Sequence, residues 1–352
     1  MSAAALRPEP PAAAGGTESM KIAIVTDAWL PQTNGVVRTL SALRQELLAL
    51  GHDVVMITPE QFVTIACPTY REIRLAVLPG GAVDRMLRAA RPDAIHIATE
   101  GPLGYAARRF CLRHNVQFTT SFHTKFPDYI KARFGVPMAW TYGVLRWFHG
   151  AASATMVATE SVRRELEARG FGRLKCWTRG VDLRSFRPIA KPEGGAYARP
   201  IFLYVGRVAI EKNLPAFLDL DLPGSKLVVG DGPARTELQQ RYPQVHFLGR
   251  REGEDLARLY GMSDVFVFPS RTDTFGLVLL EALACGLPIA AFPVAGPIDL
   301  IAGSGAGILD WDLRKAALSA LCIDPAACRA YARNFTWAAS AEQFLRNLQT
   351  TE

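Results

Sequence analysis

Two short strings in the second half of the chain hold the residue types of anion and hydroxyl chemistry. GRVAIEKNL (206–214) places Arg207 at a strand end and Lys212 at the entrance of the helix expected after it, with Glu211 beside it. Two cations at a helix amino terminus suit a diphosphate, because charge-assisted hydrogen bonds and the helix dipole act on the same oxygens. Arginine and lysine after a strand are also ordinary solvated side chains. PSRTDTFGLVLLEALACGLP (269–288) sets Asp273 and Glu281 eight residues apart across Phe275-Gly276, with Glu281 in the first turns of an apolar helix. A carboxylate inside VLLEALA gains little from packing and is costly to bury unpaired, so a ligand hydroxyl or a buried cation is expected to answer it. GDGP (230–233) follows KLVV, and Gly230 and Gly232 permit a close backbone approach there; simple turn chemistry explains them as well. Asp219-Leu220-Asp221 spells D-x-D, a metal-holding pattern, but sits in FLDLDLPG at a helix end running into a Pro-Gly turn, where two solvated acids are the simpler account. No metal is expected.

These residues need elements to position them. KIAIVTD (21–27) reads as a buried parallel strand, followed by the loop AWLPQTNGV and a helix from about Val36 to Leu50 that Gly51 stops. VVMIT (54–58), AIHIA (94–98), a helix around Tyr105–His114, FTTSFH (118–123) and ATMVAT (154–159) continue the alternation of a doubly wound α/β domain. The pattern restarts after Arg187–Pro200, with strands at IFLYVGR (201–207), KLVVGDG (226–232), VHFLG (245–249) and VFVFPS (265–270). The expected division is a disordered leader (1–19), a first domain (20–186), a linker (187–200), a second domain (201–335) and a terminal helix (336–352) packing back on the first domain. Ligands of open α/β sheets sit at the carboxyl ends of strands, so two such domains facing each other would make a cleft.

Composition excludes several classes. With 352 residues, 49% of them hydrophobic and 21% charged, the chain is long enough for two cores and too apolar for disorder. The six cysteines form no C-x-x-C pair, so neither a zinc site nor a disulfide framework is expected. The best apolar stretch, Leu277–Pro297, is broken by Glu281, Gly286, Pro288, Pro293 and Gly296, so no membrane span is expected. No G-x-G-x-x-G follows KIAIVTD, which argues against a dehydrogenase. Charge is uneven: residues 1–200 carry 26 Lys and Arg against 16 Asp and Glu, and residues 201–352 carry 14 against 17. A basic amino-terminal half suits an anionic membrane surface, although scattered solvated arginines are an equal account, and no nucleic-acid partner is expected.

GRVAIEKNL, GDGP and SRTDTFGLVLLEA, in this order, resemble the retaining GT-B glycosyltransferases of family 4, from about Met20 to Leu348. The resemblance implies two Rossmann-like domains facing a cleft and transfer of a hexose from a nucleotide diphosphate sugar. By it, Arg207 and Lys212 bind the donor diphosphate, Glu281 holds the ribose hydroxyls, and Asp273 stands where the family usually has a glutamate that contacts the transferred sugar. Asp for Glu is one methylene shorter. Asn34-Gly35-Val36 resembles the glycine-containing loop over the donor phosphates, and Gly230, Gly232, Arg250, Phe275, Gly276 and Leu277 complete the donor-binding set. His123, in SFHTKFPDY (121–129), is on its residues alone a satisfied histidine at a strand end; the resemblance makes it a catalytic group near the donor sugar. Arg179-Gly180-Val181-Asp182 matches the family's stretch before the linker, with a structural role for Asp182. HTKFPDY with SRTDTFG is similar to a subgroup of GDP-mannose-dependent α-mannosyltransferases and sulfoquinovosyl- or glucosyl-diacylglycerol synthases.

The mechanism that the resemblance implies is front-face attack with retention, the leaving phosphate taking the acceptor's proton, and domain closure around the donor excludes water. The donor is GDP-mannose or a UDP-hexose and the acceptor a lipid or glycan. Lys125–Trp147 interleaves Lys125, Lys131, Arg133 and Arg146 with aromatics, a mixture that favours an anionic headgroup region. The plainer alternative puts Phe126, Tyr129, Trp140 and Tyr142 in the core. The expected location is cytoplasmic, or peripheral at the inner face of the cell membrane. A nucleotide-sugar epimerase of the same architecture and a catalytically idle sugar-nucleotide-binding protein are the competing functions.

Overall fold

The computed structural model describes residues 19–32, 34–67, 70–123, 137–191 and 195–348. Residues 1–18 of the expected leader, 192–194 of the expected linker and 124–136 of the aromatic and basic stretch lie outside the described residues. The chain divides into two compact units at Arg179/Gly180, the second ending at Thr336 and the helix Trp337–Asn347 belonging with the first. Residues just past the division are already pinned to the second unit, where Arg329 donates to the carbonyls of Leu183 and Phe186.

The N-terminal unit is built on strands β1 (Lys21–Val25), β2 (Asp53–Ile57), β5 (Ala94–Ile97), β6 (Thr119–Phe122), β7 (Ala154–Val157) and β8 (Leu174–Cys176), in the order β2-β1-β5-β6-β7-β8. All neighbours pair in parallel, and β3 (Thr64–Cys67) with β4 (Tyr70–Ala76) forms a separate antiparallel hairpin. Parallel strands buried on both faces are mostly apolar, with polar side chains such as Thr119, Ser121 and His96 admitted where they bond one another, and β1 divides its side chains by alternation. Ile22 and Ile24 join Leu40, Leu43, Leu47, Trp177 and Phe344, which brings the helices Gly35–Ala49 and Trp337–Asn347 to one face. Ala23 and Val25 join Val83, Leu87, Leu103 and Ala107 on the other, under the helices Gly80–Ala90 and Pro102–His114.

The C-terminal unit repeats the plan with β9 (Ile201–Val205), β10 (Ser225–Val229), β11 (His246–Gly249), β12 (Val265–Phe268), β13 (Ile289–Ala291) and β14 (Gly307–Leu309), in the parallel order β11-β10-β9-β12-β13-β14. Phe202 and Tyr204 of β9 enter a core with Phe217, Leu238, Val267 and Ala316. The order reverses at β9, with β10 and β12 on its two sides. The chain therefore runs on from β9 and from β12 in opposite directions, toward β10 and toward β13, and the switch point at the carboxyl edge between β9 and β12 is where this architecture receives ligands.

Candidate active site

In the C-terminal unit the sheet reversal brings three loops together. The loop after β9 is stitched to the loop after β10: Gly206 N–H donates to Val229 O (3.0 Å), Val208 N–H to Asp231 O (2.9 Å) and Ala234 N–H to Val208 O (3.1 Å). A Cβ on Gly230 would stand 1.9 Å from Gly206 O and one on Gly232 2.4 Å from Val208 O, so no side chain fits at either position. Arg207 stands between these glycines and is half-buried, its carbonyl accepting from Tyr204 Oη at 2.8 Å. The loop after β9 is bonded equally to the loop after β12, through Asn213 Nδ2 donating to Pro269 O (3.1 Å) and Thr272 Oγ1 donating to Glu211 O (3.4 Å).

That second seam carries the charged pair. Lys212 Nζ donates to Asp273 Oδ1 at 2.5 Å, and each side chain is only 18% exposed. The other carboxylate oxygen, Asp273 Oδ2, is buried and without a hydrogen-bond partner among the described residues, as is Ser270 Oγ three residues before it. A buried oxygen that accepts nothing is costly, so this end of the site is organised for a donor group. The expectation of a helix dipole behind Lys212 needs correcting. Lys212 ends a short 3₁₀ turn, Ile210–Lys212, and the helix after it, Pro215–Leu218, has four residues, too few aligned peptides for a macrodipole. The attraction for an anion comes from the cations themselves.

Glu281 also departs from expectation. It lies buried in the helix Leu277–Ala284, but Tyr260 Oη on the neighbouring helix Gly253–Met262 donates to its Oε2 at 2.9 Å, so a hydroxyl of the protein itself answers part of its demand. Phe275 is buried and serves the core, while Gly276, at φ 84°, turns the chain so that the amino end of the helix starts at Leu277. These two positions offer backbone rather than side chains. Arg250 follows β11 and is exposed, with Nε and Nη2 both donating to Glu252 Oε1 (3.1 and 2.6 Å). Arg207, Lys212, Asp273, Gly230 and Gly232 thus gather at one edge, and Arg250 is engaged with its own neighbour.

In the N-terminal unit, Asn34 is a helix cap. Its Oδ1 accepts from Val36 and Val37 N–H (both 3.0 Å) and its Nδ2 donates to Gln32 Oε1 (3.0 Å), so the side chain is occupied and Gly35 begins the 15-residue helix Gly35–Ala49. With Arg38 N–H donating to Asn34 O (3.1 Å) as well, the donors of Val36, Val37 and Arg38 are engaged within the turn. His123 follows β6. Arg179 Nη2 stands 3.2 Å from His123 Nδ1, and a guanidinium can only donate, so Nδ1 accepts and the ring proton sits on Nε2. Burial, with Arg179, His96 and His149 nearby, holds the His123 pKa well below the ordinary histidine value. The imidazole is neutral at pH 7 and able to donate through Nε2. Arg179 is itself buried, stacked 4.1 Å over the Trp177 ring and donating to Trp177 O at 2.5 Å; burial draws its pKa down to about 9, still charged at neutral pH.

Sequence reasoning does not single out Arg179 as a site residue, although it marks the string RGVD, because nothing in that string says which side chain lies 56 positions back. Asp182 of the same string accepts from Arg184 N–H (2.9 Å) and Ser185 N–H (3.3 Å), which is a turn. Asp27 escapes the sequence as well. It ends the KIAIVTD run, and its carboxylate accepts from Leu103 N–H (2.9 Å), Gly104 N–H (3.2 Å) and Thr99 Oγ1 (3.0 Å) at the amino end of Pro102–His114; burial nonetheless raises its pKa.

No group of three or more His, Cys, Asp and Glu is placed to hold a metal ion among the described residues. Asp219 accepts from Tyr242 Oη at 2.6 Å and Asp221 has a 99% exposed side chain. Both precede β10, at the opposite end of the strands from Arg207 and Lys212.

Comparison with known proteins respects the same division. Residues 33–185 match the family model described as Glycosyltransferase Family 4, and residues 199–321 the model described as Glycosyl transferases group 1. A GDP-mannose-dependent alpha-mannosyltransferase of Mycobacterium tuberculosis is 33% identical over 318 residues, covering 82% of this chain and 83% of that protein. The alpha-monoglucosyldiacylglycerol synthase of Streptococcus pneumoniae is 27% identical over 353 residues, covering 87% and 79%. Among solved structures, the sucrose-phosphate synthase of Thermosynechococcus elongatus superposes with a TM-score of 0.72 over 93% of this chain and 97% of its own, at 23% identity, which shows the shared GT-B fold.

Proposed function

The chain belongs to glycosyltransferase family 4, and on that premise we propose that it moves a hexose from GDP-mannose or a UDP-hexose to a lipid or glycan acceptor with retention at the anomeric carbon. The observation that carries this reading is the Lys212–Asp273 pair, a cation for a leaving phosphate joined to a carboxylate whose second oxygen is buried and without a hydrogen-bond partner among the described residues. A sugar hydroxyl donating to Asp273 Oδ2 satisfies that oxygen, while Lys212 and Arg207 neutralise the diphosphate next to it. Gly230 and Gly232 let the donor approach the backbone, and Glu281 takes the ribose hydroxyls beside its contact with Tyr260. His123 contributes a neutral Nε2–H donor to a sugar hydroxyl.

In the reaction, the bond from the anomeric carbon to the phosphate oxygen breaks and the electron pair leaves with the nucleotide diphosphate. The acceptor oxygen bonds to the same face, and its proton passes to the departing phosphate oxygen. Two protein cations supply the charge, so no metal is required by this scheme. A lipid acceptor places the enzyme at a membrane, in peripheral contact with an anionic cytoplasmic surface; among the described residues no helix is long and apolar enough to cross one.

A thermal-shift panel of GDP- and UDP-sugars tests the donor. The matching sugar nucleotide at one hundred times its dissociation constant stabilises by roughly 2.7 kcal/mol, and nucleotide diphosphate is released only when acceptor is present. No shift with any member of the panel defeats the proposal; a shift without turnover leaves a binding protein, and sugar isomerisation without acceptor leaves an epimerase.

A further inference from the structure

The helix Met138–His149 has two unlike faces. Tyr142, Leu145, Phe148 and His149 are buried, so the core account of this stretch is right for Tyr142. It is wrong for Trp140. Trp140, Val144 and Trp147, four and three residues apart and so on one stripe, are 77%, 52% and 57% exposed. The adjacent helix Pro102–His114 extends the stripe with Leu112, 51% exposed, and with Tyr105, which stacks on Trp147 at 6.0 Å between ring centroids. Arg108 fastens the two helices: its guanidinium lies 3.8 Å over the Trp147 ring and donates to Trp147 O and Phe148 O, both at 3.0 Å. Arg108 thus holds the Trp147 end of the aromatic face in place.

Two shallow hollows lie along the face. Trp140, Thr141, Val144 and Trp147 line the first; Tyr105, Leu112 and Trp147 line the second together with Arg108, Arg109 and Arg113. No carboxylate lines either hollow. Of the acids nearby, Asp84 is shared by Arg88 at 2.8 Å, His114 at 3.5 Å and Arg113 at 3.8 Å, and Glu100, close to Tyr105, is engaged with His149 Nε2 at 3.0 Å. Arg109 and Arg113 are exposed at the rim. An apolar patch of this kind marks an interaction site, and its chemistry selects the occupant. Exposed tryptophans settle at the headgroup level of a bilayer, and arginines beside them are attracted to anionic lipid.

We propose that this face, Trp140, Val144, Trp147 and Leu112 with Arg109 and Arg113, is the surface by which the protein docks on an anionic bilayer. The proposal rests on the peripheral membrane contact proposed above and names where it is made. The full chain is sedimented with vesicles of equimolar phosphatidylglycerol and phosphatidylcholine, and with vesicles of phosphatidylcholine alone. The expected result is binding to the anionic vesicles that weakens as salt rises. A Trp140→Ala/Val144→Ser variant loses at least tenfold in affinity, and an Arg109→Gln/Arg113→Gln variant loses roughly fivefold per cation. Both variants keep the wild-type melting temperature and the turnover measured on a soluble acceptor in detergent. If the unaltered chain ignores anionic vesicles at low salt, the membrane contact and the docking face fall together. If it binds and both variants bind equally well, only the face is overturned. If sedimentation equilibrium shows a dimer that Trp140→Ala/Val144→Ser dissociates while vesicle binding is unchanged, the face serves a second copy of the chain and the proposal fails.

Discussion

The two units place parallel sheets of the same plan beneath sites of opposite electrostatic character. In the C-terminal unit the carboxyl edge carries the close pair of Lys212 and Asp273 with Arg207 on the loop after β9, and among the described residues Asp273 Oδ2 lacks a donor. In the N-terminal unit the corresponding edge carries imidazoles kept neutral. His96 is enclosed between Thr119 Oγ1 and Ser121 Oγ, both at 2.9 Å, and His123 is kept from protonation by burial and by the fixed cation of Arg179. The strand order decides where loops converge; the side chains on those loops decide whether the place suits an anion or a hydroxyl.

The contrast breaks most readily at the charged site. Lys212→Ala removes a cation proposed to meet the donor phosphate and leaves Asp273, only 18% exposed, without its ion-pair partner. Loss of a charge-assisted contact of about 1.5–3 kcal/mol corresponds to a fall in kcat of roughly 10- to 150-fold. Arg207→Ala is expected to fall in the same range. A Lys212→Met/Asp273→Asn double variant regains the melting temperature lost by Lys212→Ala, since it buries no unpaired charge, but not the turnover. Steady-state kinetics and thermal melts together decide the matter; near-normal turnover in both single variants would remove the diphosphate from this edge.

Much of the fold was legible because most parallel strands buried on both faces are nearly continuous apolar runs, and IAIV, IFLYV and VFVF are such runs ended by small or polar residues. The motif positions were legible for the same reason, since the loops that carry them begin where those runs end. The partners were not legible. Lys212 and Asp273 are 61 residues apart and meet because β12 lies beside β9, a matter of strand order that no local string encodes. Tyr260 reaches Glu281 across 21 residues between two packed helices. Asn34 presents the reverse case: resemblance to a phosphate loop obscures its own chemistry, since an asparagine ahead of an apolar periodic run is first of all a helix cap.

A pH titration sharpens the neutral side of the contrast. In the unfolded chain a histidine titrates near 6.5. In the folded one His96 is pushed down to about 3 by burial and the charge of Arg179, and His123 is held well below its ordinary value, burial again the larger cause. Above pH 6.5 both states are neutral and these residues contribute nothing. Below it the unfolded chain takes up protons that the folded chain refuses, so stability falls with pH, by up to about 1.4 kcal/mol per unit for each histidine. The N-terminal unit is therefore expected to melt first in acid, between pH 6.5 and 4. His123→Gln, which removes one of these depressed groups and leaves His96 and His52, the latter also lowered by burial, makes the decline shallower. Melting temperatures that stay flat from pH 7 to 4.5 in the parent chain would show that these imidazoles are not held neutral.

The smallest expected effect contrasts the two ends of one sheet. Asp219 and Asp221 have the spacing of a metal-holding pair, but the loop bearing them enters β10, whereas Arg207 and Lys212 leave β9, a parallel neighbour. Parallel strands put entrances and exits at opposite ends, so a cation held by these acids would lie a strand's length from the diphosphate, at roughly 3.3 Å per residue. Their present partners are ordinary ones: Tyr242 Oη on Asp219, and Arg314 at 3.9 Å from the exposed Asp221. Asp221→Ala is accordingly expected to change stability by less than about 0.5 kcal/mol and turnover hardly at all, while Asp219→Ala forfeits one hydrogen bond, about 1 kcal/mol, without a kinetic consequence. Chelation with EDTA is expected to leave the parent rate unchanged, because in the proposed scheme Arg207 and Lys212 meet the charge on the leaving diphosphate. Turnover abolished by EDTA, restored by magnesium and lost again in Asp221→Ala would return the metal to this loop and require the donor to bind at the other end of the sheet.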